Sequence, residues 1–143
     1  MLAQFEGLLQ SHVQCRQLSL IPLLLLLCTL GVAPLKLRVF NLKASSLRPN
    51  QNSNADGFVR VYCGSASLEQ TEVYNDSPNP SWGKSFTYER ALQNDLLELK
   101  VMDKDVAFDD ELGVCQYRIK VGISHPSCSQ KKEGILRFSY SLS

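Results

Sequence analysis

The chain predicts an antiparallel β-sandwich, and three observations carry that prediction. Short segments such as residues 35–40 and 97–101 alternate apolar and charged side chains. Clusters of Pro, Asn and Ser separate these segments at short intervals, and beyond the N-terminal region no stretch holds a 3.6-residue apolar period. At 143 residues there is room for one domain with an ordinary core. The formal net charge is +1 and no basic run occurs, which argues against a nucleic-acid partner.

Residues 18–33 are apolar, follow Arg16 and end in small residues, as the hydrophobic region and cleavage site of a secretory signal do. The run falls short of the roughly 20 apolar residues that a spanning helix needs, and Pro22 interrupts it. The expectation is a removable segment over residues 1–31, cut after Gly31 so that Pro34 is not at the new terminus, and one mature domain over 32–143. That domain keeps Cys63, Cys115 and Cys128, and an oxidising compartment permits one disulfide among them. In residues 58–63, Cys63 shares a face with Val59 and Val61. Period-2 logic therefore makes it a buried core thiol and favours a Cys115–Cys128 bridge.

In chain order, residues 35–40 read as a half-buried strand and residues 45–56, rich in Asn and Ser with Pro49, as a long loop. Residues 57–63 form a second strand and 68–74 a weaker third. Residues 75–82 carry Pro78 and Pro80, which forbid helix, and 85–88 form a fourth strand. Residues 97–101 lead into an acidic stretch, 115–121 and 135–142 supply two more strands, and the polar 125–132 lies between them as a loop. Asn75-Asp76-Ser77 fits a glycosylation sequon, disfavoured by the Pro78 that follows.

The chemistry concentrates in residues 101–113, where Asp103, Asp105, Asp109, Asp110 and Glu111 crowd together. Without a cation these carboxylates would repel one another, and at least one would hold its proton near neutral pH. A hard divalent cation removes the conflict, since calcium takes about six to eight oxygen ligands at about 2.3 to 2.6 Å. The bland alternative is a solvated acidic turn. Leu97, Leu99 and Val101 share the inward face, and Asp103 and Asp105 continue that odd-numbered series past the sheet. Both are therefore expected to project over the core, roughly 6 to 7 Å apart at the backbone, close enough to converge on one ion.

An EF-hand does not fit, because Phe108 would stand at its glycine position, Val114 at its bidentate glutamate, and no helices flank the loop. Zinc is poorly served by the single mature histidine, His125, and by the lack of paired cysteine spacing. No nucleophile–base arrangement, phosphate-cradling glycine loop or cleft-borne carboxylate pair is visible, so no catalytic activity is expected.

Residues 47–56 followed by Gly57-Phe58-Val59-Arg60-Val61, Asn79-Pro80-Ser81-Trp82 ahead of Ser85-Phe86-Thr87, and Val101-x-Asp103-x-Asp105 with Asp109-Asp110-Glu111-Leu112-Gly113 together resemble a C2 domain. The resemblance spans essentially the whole mature chain. Within the family it is greatest to the C-terminal C2 domain of perforin, through residues 37–48 and the cysteines after the third loop. It implies an eight-stranded antiparallel sandwich of type II order, with calcium (Ca2+) held between three loops at one end. The implied ligands are Asn50 and Asp56 in loop 1 and Asp103, Asp105 and either Asp109 or Asp110 in loop 3, which is one residue short. Asn50 stands where an Asp is usual, which weakens a calcium site.

Calcium in this family bridges to lipid headgroups. The implied partner is thus a phospholipid membrane surface, entered by Val106 and Phe108 at the tip of loop 3. The bland alternatives fold Phe108 back onto the sandwich and make Trp82 a structural plug in loop 2. The expected protein is a secreted, monomeric, calcium-dependent membrane-targeting module without perforin's pore-forming domain. The alternative is a calcium-independent protein-interaction sandwich with a degenerate metal site.

Overall fold

The computed structural model describes residues 11–17 and 26–143. β1 (Ser11–Gln17) pairs antiparallel with β2 (Leu26–Val32) in a two-stranded sheet of its own, with Ser11 opposite Val32. The rest of the expected signal segment, residues 1–10 and 18–25, lies outside the described residues.

The sandwich starts at Leu35. Its segments are β3 (Leu35–Ser45), β4 (Gly57–Cys63), β5 (Ala66–Gln70), β6 (Ser81–Trp82), β7 (Phe86–Ala91), β8 (Leu96–Asp103), β9 (Asp110–Arg118), β10 (Gly122–Ser124), β11 (Ser127–Ser129) and β12 (Ile135–Leu142). Every pairing among them is antiparallel. One sheet runs β5-β4-β8-β9. In the other, β3 lies against β12, so the first sandwich strand pairs with the last. β6 and β7 succeed one another along the free side of β3, as β10 and β11 do along β12.

Alternation builds the core between these sheets. Val59, Val61 and Cys63 of β4 and Leu97, Leu99 and Val101 of β8 meet Leu37, Val39, Leu136, Phe138 and Leu142 from the facing sheet, all buried. Trp82 closes the end of this core and donates its indole N–H to the Gly57 carbonyl at 3.1 Å. It is the structural plug that the sequence suggested, seated on β6 just after loop 2.

Several boundaries differ from those expected, each for a local reason. β3 runs on to Ser45 because Asn41 adopts φ 53° and takes up an extra residue against β12, between the pairs Phe40–Ser139 and Lys43–Arg137. This bulge flips the parity, so that Leu37 and Val39 are followed inward by Leu42 and Ala44. A second bulge, at Leu112, lets β9 begin among the acidic residues at Asp110 rather than at Cys115. β5 is shifted toward the turn after β4, and it ends where the Thr71 hydroxyl, in place of a strand partner, accepts the Val59 N–H at 2.9 Å. The expected loop at 125–132 contains the short edge segment β11.

The disulfide joins Cys115 on β9 to Cys128 on β11, with Cα atoms 6.0 Å apart. It therefore links an edge of one sheet to an edge of the other. Cys63 is free and buried. Burial, then the charge and hydrogen bond of Asp95, push its thiol up to about 11, so it stays protonated and unreactive toward the bridge. Replacing Cys115 and Cys128 together by Ala is expected to lower the unfolding free energy by about 3 kcal/mol, the loop-closure value for so short a bridge. Urea unfolding of the variant against the parent measures it.

Candidate metal and membrane site

Three connections gather at one end of the sandwich: loop 1 (residues 46–56), loop 2 (residues 71–80) and loop 3 (residues 104–109). Leu47 and Ala55 anchor loop 1 by full burial. The Leu47 N–H donates to the Pro78 carbonyl at 2.7 Å and the Ser77 N–H to the Ala55 carbonyl at 3.1 Å, so loops 1 and 2 are stitched through main chain. Gly57, where loop 1 meets β4, lies so close to its neighbours that a Cβ there would sit 3.0 Å from Leu47 and 3.3 Å from Trp82.

Asp103 stands at the centre. It is the last residue of β8, opposite Gly57 on β4 and Asp110 on β9. Its Oδ1 accepts the Asp56 N–H at 2.7 Å, and the Asp56 carbonyl accepts the Lys104 N–H at 2.9 Å. The Asp56 carboxylate in turn accepts the Asp76 N–H of loop 2 at 2.6 Å. Asp56 and Asp103 thus tie all three loops together.

The other acidic side chains divide. Asp105 accepts the Val106 N–H at 2.6 Å, a local turn contact. Asp109 is turned aside, bonded to Arg60 at 3.4 Å, to Lys104 at 3.5 Å and to the Asp105 N–H at 3.3 Å. Asp110, opposite Asp103, makes no such ion pair among the described residues, and its charge acts on the Asp103 carboxyl. Asn50 is exposed, and its Oδ1 is taken by the Asn52 N–H at 2.8 Å and the Ser53 hydroxyl at 3.1 Å. Among the described residues, no three Asp, Glu, His or Cys side chains form a metal-holding group as they stand. Asp103 and Asp105 each give one oxygen to a backbone N–H, and the Asp105 charge acts on the Asp103 carboxyl.

The donors are nonetheless of one kind, hard oxygens, and their charge is poorly compensated. Burial raises the Asp103 carboxyl above its ordinary value. The charges of Asp56, Asp110 and Asp105 raise it further, against the lowering by the Asp56 N–H. A hard cation suits such a set. Arg60, Lys104 and Asp76 are the participants that sequence reasoning missed. Lys104 was visible as the lone cation inside the acidic run, and Arg60 as an outward charge on β4. Nothing local marks Asp76.

Beyond the carboxylates stands an apolar tip. Val106 is fully exposed and Phe108 is 82% exposed, so Phe108 does not fold back onto the sandwich. Together they form an exposed apolar tip between the acidic residues.

Comparison with known proteins decides the family. The C2 domain family model matches residues 35–134. The chain belongs to the C2 domain family. A solved C2 domain shares 43% identity with a TM-score of 0.73, covering 76% of this chain and 98% of its own. The calcium-bound tandem C2 domains of extended synaptotagmin 2 match in fold, at 16% identity and a TM-score of 0.63, over 75% of this chain and 45% of their own. Multiple C2 domain and transmembrane region protein 11 of Arabidopsis thaliana is 32% identical over 66 residues, 45% of this chain. The match spans only 8% of that relative's length.

The crowding of Asp103 in this C2 domain has a measurable sign. Because its folded-state value is raised, its contribution to stability is present below the unfolded value and is lost as pH climbs through the folded one. Asp103→Asn keeps the oxygen that accepts the Asp56 N–H but carries no charge. In chelator, the melting temperature of the variant relative to the parent is expected to be flat in strong acid and to rise in the variant's favour with increasing pH. A difference that does not change with pH overturns this account of the cluster.

Proposed function

We propose that this C2 domain binds calcium between loops 1 and 3 and, through it, anionic phospholipid surfaces, as a secreted, non-enzymatic targeting module of the perforin type. The observation that carries the reading is the outward Phe108 and Val106 set between Asp103–Asp105 and Asp110. Apolar tip and uncompensated carboxylates face the same way, so one cation could neutralise the loops and offer coordination to a lipid phosphate while the tip enters the interface. Support for calcium also comes from the calcium-bound state of a protein that shares the fold.

Asp56, Asp103, Asp105 and Asp110 would hold the ion, with Asn50 a neutral donor. This chain's own residues do the rest. Arg60 and Lys104 hold Asp109 and with it the base of loop 3, Trp82 and Leu47 keep loops 1 and 2 in register, and Phe108 supplies apolar contact. Burying one Phe is worth roughly 1.5 to 3 kcal/mol, too little to anchor a protein alone, so ion bridging contributes most of the affinity. An affinity near 10⁻⁴ to 10⁻³ M, on the order of that of extracellular calcium modules, is sufficient outside the cell. The local turn of Asn50 favours one alternative, an interaction module without calcium.

At about 5 mM calcium, binding of that strength stabilises the fold by about 1 to 2 kcal/mol, and Asp103→Asn with Asp105→Asn is expected to abolish the rise in melting temperature. Co-sedimentation with phosphatidylserine vesicles is expected with calcium and not with chelator. Sedimentation unchanged by chelator selects the alternative. Phe108→Ala is expected to weaken vesicle binding about ten- to a hundredfold with calcium affinity retained. Asp110→Asn is expected to cost more calcium affinity than Asp109→Asn, read by calcium titration.

A further inference from the structure

On the outer face of the β3–β12 sheet lies an open groove of about 780 Å³. Arg38, Lys43, His125 and Arg137 stand in its walls, and no carboxylate does. Lys43 lies directly opposite Arg137 across the strand pair, a like-charge arrangement that costs stability. No carboxylate among the described residues pairs with either side chain. Arg137 bonds only the Ser45 hydroxyl, at 3.4 Å, and the Lys43 ammonium has no partner among the described residues. Arg38 lies over the Phe40 ring at 4.3 Å. Elsewhere Lys36, Arg60, Lys100, Lys104 and Lys131 each face a carboxylate, and Lys84, Arg118, Lys120 and Lys132 each bond a neutral oxygen. The groove therefore concentrates positive charge that the protein itself leaves unanswered, and an anionic ligand would complement it.

We propose that this groove binds a linear sulfated polysaccharide. Arg38 and the Lys43–Arg137 pair lie roughly 15 Å apart along the strand, so one compact oxyanion or phosphorylated headgroup reaches one end and leaves the other empty. A chain bearing anions at intervals reaches both. A nucleic acid would also be linear, but single strands bind by stacking bases on aromatic faces. Here Arg38 already covers Phe40, and Trp82 is buried. Hydroxyl and imidazole groups between the cations, Ser139 bonded to His125 Nδ1 at 2.8 Å among them, suit the hydroxyl-rich spacing of a saccharide. None of the acidic residues of loops 1 and 3 lines the groove, so this binding needs no calcium.

The test is calorimetry in chelator with a heparin-derived hexasaccharide and its desulfated counterpart. Binding of the sulfated form alone is expected, weakening as salt rises. Arg38→Gln and the double variant Lys43→Gln, Arg137→Gln are each expected to lower affinity at least tenfold with calcium response unchanged, while the melting temperature stays level in the first and rises slightly in the second as the like-charge pair is removed. Absence of binding, full affinity in either variant, or equal binding of single-stranded DNA of matched charge overturns the proposal. Capture of phosphoinositide vesicles through the same residues, without hexasaccharide binding, reassigns the groove to a lipid headgroup and also overturns it. Because the measurement excludes calcium, failure here leaves the calcium reading standing, and failure of calcium binding leaves this one standing.

Discussion

The register between β4 and β8 is the constraint on which the rest depends. It places Gly57 opposite Asp103 and brings the Asp56 N–H onto the Asp103 carboxylate at 2.7 Å. The carboxylates oppose this arrangement and the core imposes it. Val59, Val61 and Cys63 lie against Leu97, Leu99 and Val101, all buried, and each large apolar side chain contributes roughly 1.5 to 3 kcal/mol. A pair of charges 4 Å apart repels by about 1 kcal/mol in water and about 4 kcal/mol near a protein surface. A one-residue slip of β4 would turn its three core side chains outward, so burial holds the crowding at Asp103 in place.

Arg60 performs a second kind of positioning. Its guanidinium lies 5.3 Å from the Phe58 ring and bonds Asp109. Phe58 pairs with Met102 on the outer face of the sheet, and both are buried despite facing away from the main core. The base of loop 3 is thereby pinned to the flank of the sheet, and the tip beyond it, with Val106 and Phe108, extends into solvent rather than collapsing onto the sandwich end.

Much of this architecture was legible in the residues. Clean alternation located β4, β8 and β12, and the parity of Cys63 placed it in the core. Alternation loses its meaning at a bulge, which is why the parity change at Asn41 and the extra residue at Leu112 hid the true ends of β3 and β9. The acidic run pointed to the site but not to its pairings. Whether Asp109 or Asp110 faced the cluster depended on Arg60, which is remote in sequence and adjacent only once β4 and β8 have paired. Asp105 was placed by parity and Asn50 by the family resemblance, and neither registers the N–H groups that each takes as a local partner.

The disulfide has a further consequence. It fastens β9 to β11 along one flank of the sandwich, whereas among the described residues the opposite flank is crossed without a covalent link, by hydrogen bonds such as Lys84 to the Gln70 carbonyl and the Gly83 N–H to Glu72. Transient opening of the two sheets is therefore hinged. It swings from the β5 side about a covalent spine, and the amides beside that spine are the last to meet solvent.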